Sequence, residues 1–159
     1  MMARVSDGRI NPRGVLVTSS IAVFLIALNT TAINAAVNAL ADDLDMDTST
    51  LAWALNAYIL AVATLVLPAG RLGDILGMRS VFLIGLGLFA AGTLLTAVAH
   101  DGGVLIGGRA LQGAGAAFLM PATISALNLA FPPSKRGSAF GAWGAAAGIG
   151  FALGPLYGG

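Results

Sequence analysis

The sequence predicts an all-α membrane protein, and three observations carry that reading. Of its 159 residues, 57% are hydrophobic and only 9% are charged, with a mean hydropathy of +0.88. That leaves too little polar surface to coat a water-soluble domain of this size. The charges are clumped, so uncharged runs extend over 14–41, 48–70, 80–99, 110–134 and 137–159, most of them reaching the roughly 20 residues that a spanning helix needs. Strands of a membrane barrel would alternate apolar and polar residues over about ten positions, and no such alternation is present. In hydrocarbon each backbone donor has to be satisfied within its own segment, so runs this long read as helices.

After a tail over 1–13, the spans are expected at about 15–41, 51–69, 80–99, 104–130 and 138–159. Positive charge sets their orientation. Arg4, Arg9 and Arg13 precede the first helix, Arg71 and Arg79 lie between the second and third, and Lys135 and Arg136 between the fourth and fifth. The opposite connections carry Asp42, Asp43, Asp45, Asp47, His100 and Asp101 without a Lys or Arg, so the N-terminal tail is expected in the cytoplasm. Trp53 and Tyr58, just past the acidic stretch, are expected in an aromatic belt at the outer interface. A rival reading of the start is a secretory signal, with an apolar stretch from Val15 to Leu28 and Ala39-Leu40-Ala41 as its cleavage site. Against it, the apolar region runs on to Ala41 and four further spans follow. Five crossings would end the chain outside at Gly158-Gly159 without a polar anchor, which suggests an N-terminal portion of a longer chain.

Several function classes drop out. With no cysteine and a single His100, neither a disulfide framework nor a metal-ligand cluster is available. A net charge of +1 without a basic run gives no reason to expect a nucleic-acid partner. There is no nucleophile set beside a base and no phosphate-cradling loop after a strand, so no enzyme and no catalytic residues are expected.

The stretch Gly70-Arg71-Leu72-Gly73-Asp74-Ile75-Leu76-Gly77-Met78-Arg79 resembles the Gly-x-Leu-x-Asp-x-x-Gly-x-Arg signature of the major facilitator superfamily. Gly70, Gly73 and Gly77 would allow a tight cytoplasmic turn, with Asp74 accepting from helix-terminal amides or pairing with Arg71 or Arg79. The resemblance implies a gate loop made by Gly70, Asp74, Gly77 and Arg79. The plainer reading is a glycine-rich turn with positive-inside arginines.

The fourth helix carries Arg109 followed by Gln112-Gly113, similar to a second signature of that family. A membrane arginine costs about 2.5 kcal/mol or more at the helix centre, so it usually faces the bundle interior and needs a partner. A depth of about 9 Å, from an entry near Gly103, matches the level of Asn34 in the first helix. Arg109 is therefore expected to donate to Asn34 or to nearby carbonyls, unless it snorkels outward.

In the fifth helix Gly141, Gly150 and then Gly154-Pro155-Leu156-Tyr157-Gly158-Gly159 match every fixed position of the antiporter signature, which within this superfamily resembles drug exporters. At 100° per residue Gly150, Gly154 and Gly158 form one stripe against which another helix can pack, while Gly141 points away. Pro155 cannot bond to the carbonyl of Phe151, so a kink is expected there. Ordinary small-residue packing would use the same stripe.

Leu28-Asn29-Thr30-Thr31 is similar to the exporters' first-helix motif, which has Leu-Asp where this chain has Leu28-Asn29. Asparagine cannot carry a proton, and no Asp or Glu lies inside any of the five spans, so a coupling acid is expected elsewhere or proton drive is absent. Asn29, Asn34 and Asn38 still give the first helix a polar side.

Together these motifs resemble the fourteen-helix drug:proton antiporters. The resemblance implies the first five helices of an N-terminal six-helix bundle, with no cofactor beyond a proton gradient. It further implies a bacterial inner membrane, partners limited to a small-molecule substrate, the lipid bilayer and the remaining helices, and transport residues Arg109, Gln112, Asn29 and Asn34. The function implied is export of small lipophilic compounds by alternating access. The alternatives are an uptake carrier for another solute and a non-transporting remnant.

Overall fold

A computed structural model describes residues 11–36, 39 and 46–158. Among the described residues five helices are long and apolar enough to cross a membrane: α1 (Pro12–Ala35), α2 (Thr48–Leu76), α3 (Met78–Ala97), α4 (Gly102–Ala130) and α5 (Pro133–Gly158). Arg4, Arg9, Asn38, Leu40, Ala41, Asp42, Asp43, Asp45 and Gly159 lie outside the described residues.

Side chains that the hydropathy pattern ignores fix the helix ends. Asn11 caps α1, accepting from the amides of Arg13 at 3.2 Å and Gly14 at 3.3 Å, with Pro12 in the first turn, where its missing N–H costs nothing. Asp47 caps α2 through the Thr50 amide at 3.0 Å, and Asp101 caps α4 through the Val104 amide at 2.9 Å. At the end of α4, Arg136 donates from Nη2 to the Asn128 carbonyl at 2.9 Å and from Nε to the Phe131 carbonyl at 3.1 Å. A basic residue read above only as an orientation signal thus satisfies two carbonyls beside the α4–α5 connection.

Several boundaries differ from expectation, the ends of α1 and α2 by the most. α1 ends at Ala35 rather than Ala41: its 24 residues rise about 36 Å and already exceed the hydrocarbon thickness. α2 starts at its Asp47 cap and runs to Leu76, so the glycine-rich stretch is not a three-glycine turn. Gly70 and Gly73 are helical, and only Gly77, at φ 84°, turns the chain, its amide bonded to the Gly73 carbonyl at 3.0 Å. Arg71, Asp74 and Arg79 are exposed and make no ion pair with one another, and no side chain caps α3. Tyr58 is buried rather than placed in an outer belt, whereas Trp53 is exposed. Five residues further along a helix is about 140° of rotation, enough to carry Tyr58 to the inner face.

α4 is the central helix. Half of its most apolar stretch is buried, against 17–28% for the other four. It packs on α2 and α3 and touches α1, and α1 in turn packs along α5. The two pairs correspond, α4 packing on α2 much as α1 packs on α5. The core holds Ile26, Tyr58, Phe89, Ala116 and Leu119. Large apolar side chains such as Val17, Ile21, Leu67, Leu94, Leu129 and Leu156 point outward, where lipid rather than water is the matching solvent.

Apolar burial between helices gains little in lipid, so close backbone packing has to hold the bundle. Along the α3–α4 seam a Cβ at Gly85 would lie 2.8 Å from the Phe118 Cβ, and one at Gly115 would lie 2.7 Å from the Phe89 Cα. On α5 a Cβ at Gly150 would meet the Phe24 carbonyl oxygen at 2.6 Å, while Gly154 faces Thr31 and Gly158 faces Ala32. The expected stripe therefore seats on α1, and Gly141 has nothing within 4 Å.

Gly85→Leu should lower the free energy of reversible unfolding in mixed micelles by about 1–3 kcal/mol or more. Gly87→Leu, at an open position of the same helix, should not. A second check uses the α2 cap. Hydrogen bonding from the Thr50 side chain and amide holds the Asp47 carboxyl below its usual range. With the folded pKa below the unfolded one, the cap contributes fully above about pH 4 and is lost as pH falls through the lowered value. Hydrogen exchange should show protection of the Thr50 amide declining over that window.

Candidate functional site

Arg109 lies seven residues into α4, about 10 Å along the helix from its first residue. It is 2% exposed, so it does not snorkel to the surface. Its Nη1 donates to the Asn29 Oδ1 of α1 at 2.9 Å and to the Gln112 Oε1 of its own helix at 2.8 Å. Gln112, fully buried, donates in turn from Nε2 to the Thr93 hydroxyl of α3 at 3.1 Å. The Thr93 hydroxyl donates in turn to the Phe89 carbonyl at 2.8 Å. From α2 the Tyr58 ring covers one face of the guanidinium, with Cζ 4.4 Å from the ring centroid. The Tyr58 hydroxyl lies 3.4 Å from that of Thr30, which donates to the Ile26 carbonyl at 2.8 Å. One arginine thus links four helices.

The chemistry of this cluster is that of a fixed cation held by neutral groups. Hydrogen bonds to a charged group contribute about 1.5–3 kcal/mol each, and a cation over a desolvated ring about 2 kcal/mol. These offset part of the cost of burial. Arg109 Nε and Thr96 Oγ1 remain buried without a partner. Asp47, Asp74 and Asp101 sit at helix ends, and the one ion pair among the described residues joins exposed His100 and Asp101 at 3.3 Å. No group of three metal-ligating side chains forms among the described residues.

The sequence-predicted residues separate into three places. Arg109, Gln112 and Asn29 meet, but Asn34 is exposed and takes no part, which corrects the expected partner of Arg109. Depth was counted on a first helix reaching Ala41; with the end at Ala35, Asn29 rises to the arginine's level and Asn34 rotates away. Gly70, Asp74, Gly77 and Arg79 lie at the other end of the bundle, where Arg79 borders a cleft of about 560 Å³ together with Val15, Met78, Phe82 and Leu129. Gly150, Gly154 and Gly158 form the α1–α5 seam, while Pro155 and Gly141 are exposed. Sequence reading missed Tyr58 and Thr93. Two threonines, Thr93 and Thr96, in the apolar run of α3 were the available signal for Thr93; Tyr58 was hidden by its nearness to the acidic stretch.

The model of the Major Facilitator Superfamily matches residues 19–159. A puromycin resistance protein of Streptomyces alboniger is 41% identical over 91% of this chain and 29% of its own length. A multidrug efflux pump of Mycolicibacterium smegmatis is 37% identical over 91% of the chain and 29% of its own length. A riboflavin transporter of Clostridioides difficile is 34% identical over 91% and 32%. The chain spans about a third or less of the length of these curated relatives.

Gln112→Leu should destabilise the bundle by about 1–3 kcal/mol, because it strands one bond of a buried cation. Thr93→Val should cost about 1 kcal/mol. Reversible unfolding of both variants in micelles checks the order.

Proposed function

Because the chain belongs to the Major Facilitator Superfamily, we propose that it forms part of a carrier exporting small lipophilic compounds by proton antiport. The observation that carries the reading is the convergence on α1 of two independent features. Arg109 reaches α1 at Asn29, and the Gly150–Gly154–Gly158 face of the antiporter pattern seats along it. A helix held at one side by a polar link and at the other by a smooth glycine seam can rock as a unit with α5 while α2, α3 and α4 stay packed.

Export is supported by the resistance and efflux relatives. The riboflavin transporter keeps a carrier for a different solute as the second reading. The energy source is the proton gradient, and the coupling acid lies outside the described spans, which hold no carboxylate away from their ends. The protein sits in a bacterial inner membrane with its N-terminus in the cytoplasm. Arg13, Arg71, Arg79, Lys135 and Arg136 gather at that end of the bundle, opposite Asp47, His100 and Asp101. Asp74 and Arg79, exposed on either side of the Gly77 turn, form the cytoplasmic gate with Gly70 by contacting the remainder of the protein.

The test is efflux of neutral, cationic and anionic lipophilic dyes from vesicles carrying the full-length protein. Dissipating the proton gradient should stop movement, and Arg109→Ala should slow it by roughly 10- to 100-fold while leaving insertion intact. Full activity of that variant removes the arginine from the mechanism. A correctly inserted protein that moves no dye but moves a single metabolite selects the second reading.

A further inference from the structure

The cluster around Arg109 has more donors than its surroundings accept. Arginine carries five N–H donors and no acceptor, yet among the described residues only Nη1 is bonded, and to the neutral amides of Asn29 and Gln112. Nε is buried without a partner. Asn29 has to turn its oxygen toward the guanidinium, because only that atom can accept. Its NH2 group is therefore left over and donates to no described residue. Gln112 has spent both ends of its amide, on Arg109 and on Thr93, so it positions the arginine and has nothing further to offer a ligand. Tyr58 covers one face of the guanidinium, so an added acceptor would have to meet the N–H groups in the guanidinium plane.

Unused donors around a permanent positive charge select an acceptor of negative charge, and the planar fork of a guanidinium fits a carboxylate. A buried cation with only neutral partners is unfavourable until such a counter-charge arrives. We propose that Arg109 and the Asn29 amide, positioned by Gln112, form an anion subsite for the carboxylate of an organic-acid solute, so that the compounds carried are amphiphilic carboxylates rather than lipophilic cations. The assignment deepens the transport reading and rests on it for its biological meaning. The chemistry of the subsite stands on the buried donors alone.

Fluorescence anisotropy of the purified full-length protein tests it, with pyrenebutyrate and its cationic counterpart pyrenylbutyl-trimethylammonium as probes. Pyrenebutyrate should bind more tightly by about tenfold or more. Asn29→Asp places a carboxylate on the guanidinium and should weaken pyrenebutyrate by roughly 10- to 100-fold without weakening the cation. If that variant does not fold, Asn29→Val removes the amide donor and should weaken the anion several-fold. Preference for the cation, or pyrenebutyrate affinity unchanged in the folded variant, overturns the proposal. So does absence of pyrenebutyrate binding, which would mean that another part of the protein supplies the counter-charge. Dye efflux without pyrenebutyrate binding sinks this inference and leaves the exporter reading; binding without efflux of any compound does the reverse.

Discussion

A permanent positive charge inside a lipid-facing bundle is the constraint around which the rest of the helices are arranged. Arg109 keeps its proton and is 2% exposed, so neighbouring helices have to bring polar atoms to it. α1 supplies Asn29, α2 the Tyr58 ring, α3 the Thr93 hydroxyl through Gln112. Each contact fixes a rotation about a helix axis, because a one-residue slip would turn the side chain by about 100°. The cluster therefore specifies register in a solvent where apolar faces, all equally at home in lipid, specify little.

Glycine supplies what the cluster cannot. The polar side chains are short relative to ordinary helix spacing, and they meet because Gly85, Gly92, Gly108 and Gly115 bring α3 and α4 together, with Gly113 doing the same against α2. The two devices are interleaved in sequence: Gly108, Arg109, Gln112 and Gly113 alternate packing and polar roles within two turns of α4. A substitution at a glycine of this segment is thus also a change in the geometry of the arginine.

The α1–α5 pair is joined to the other three helices chiefly through α1 and α4. Its own seam is smooth, built from Gly150, Gly154 and Gly158 against backbone and small side chains of α1. The polar link at Asn29 and the glycine seam consequently act on the same helix from different sides, and motion of α1 would be felt at both.

The apolar helices, their lipid environment, the polar pair Arg109 and Gln112 inside a span and the glycine stripe of α5 were legible in the sequence, because run length, clumped charge and glycine spacing are local properties of a chain. The residues that meet the arginine were not. Asn34 was favoured over Asn29 because depth was counted from the end of an apolar run, and hydropathy does not say where within that run the helix stops. Tyr58 was placed at a membrane interface because its sequence neighbours are acidic, whereas its rotation about α2 is decided by where Gly113 of α4 lets the backbone approach. The glycine-rich stretch after α2 looked like a turn on composition, yet the backbone needs only Gly77 to reverse, and helical hydrogen bonding carries the rest. The sequence by itself determined five apolar helices with one cation inside a span and a glycine stripe. Only the tertiary structure decided which neutral groups surround that cation and which helix the stripe meets, since both depend on rotation and depth between segments far apart in the chain.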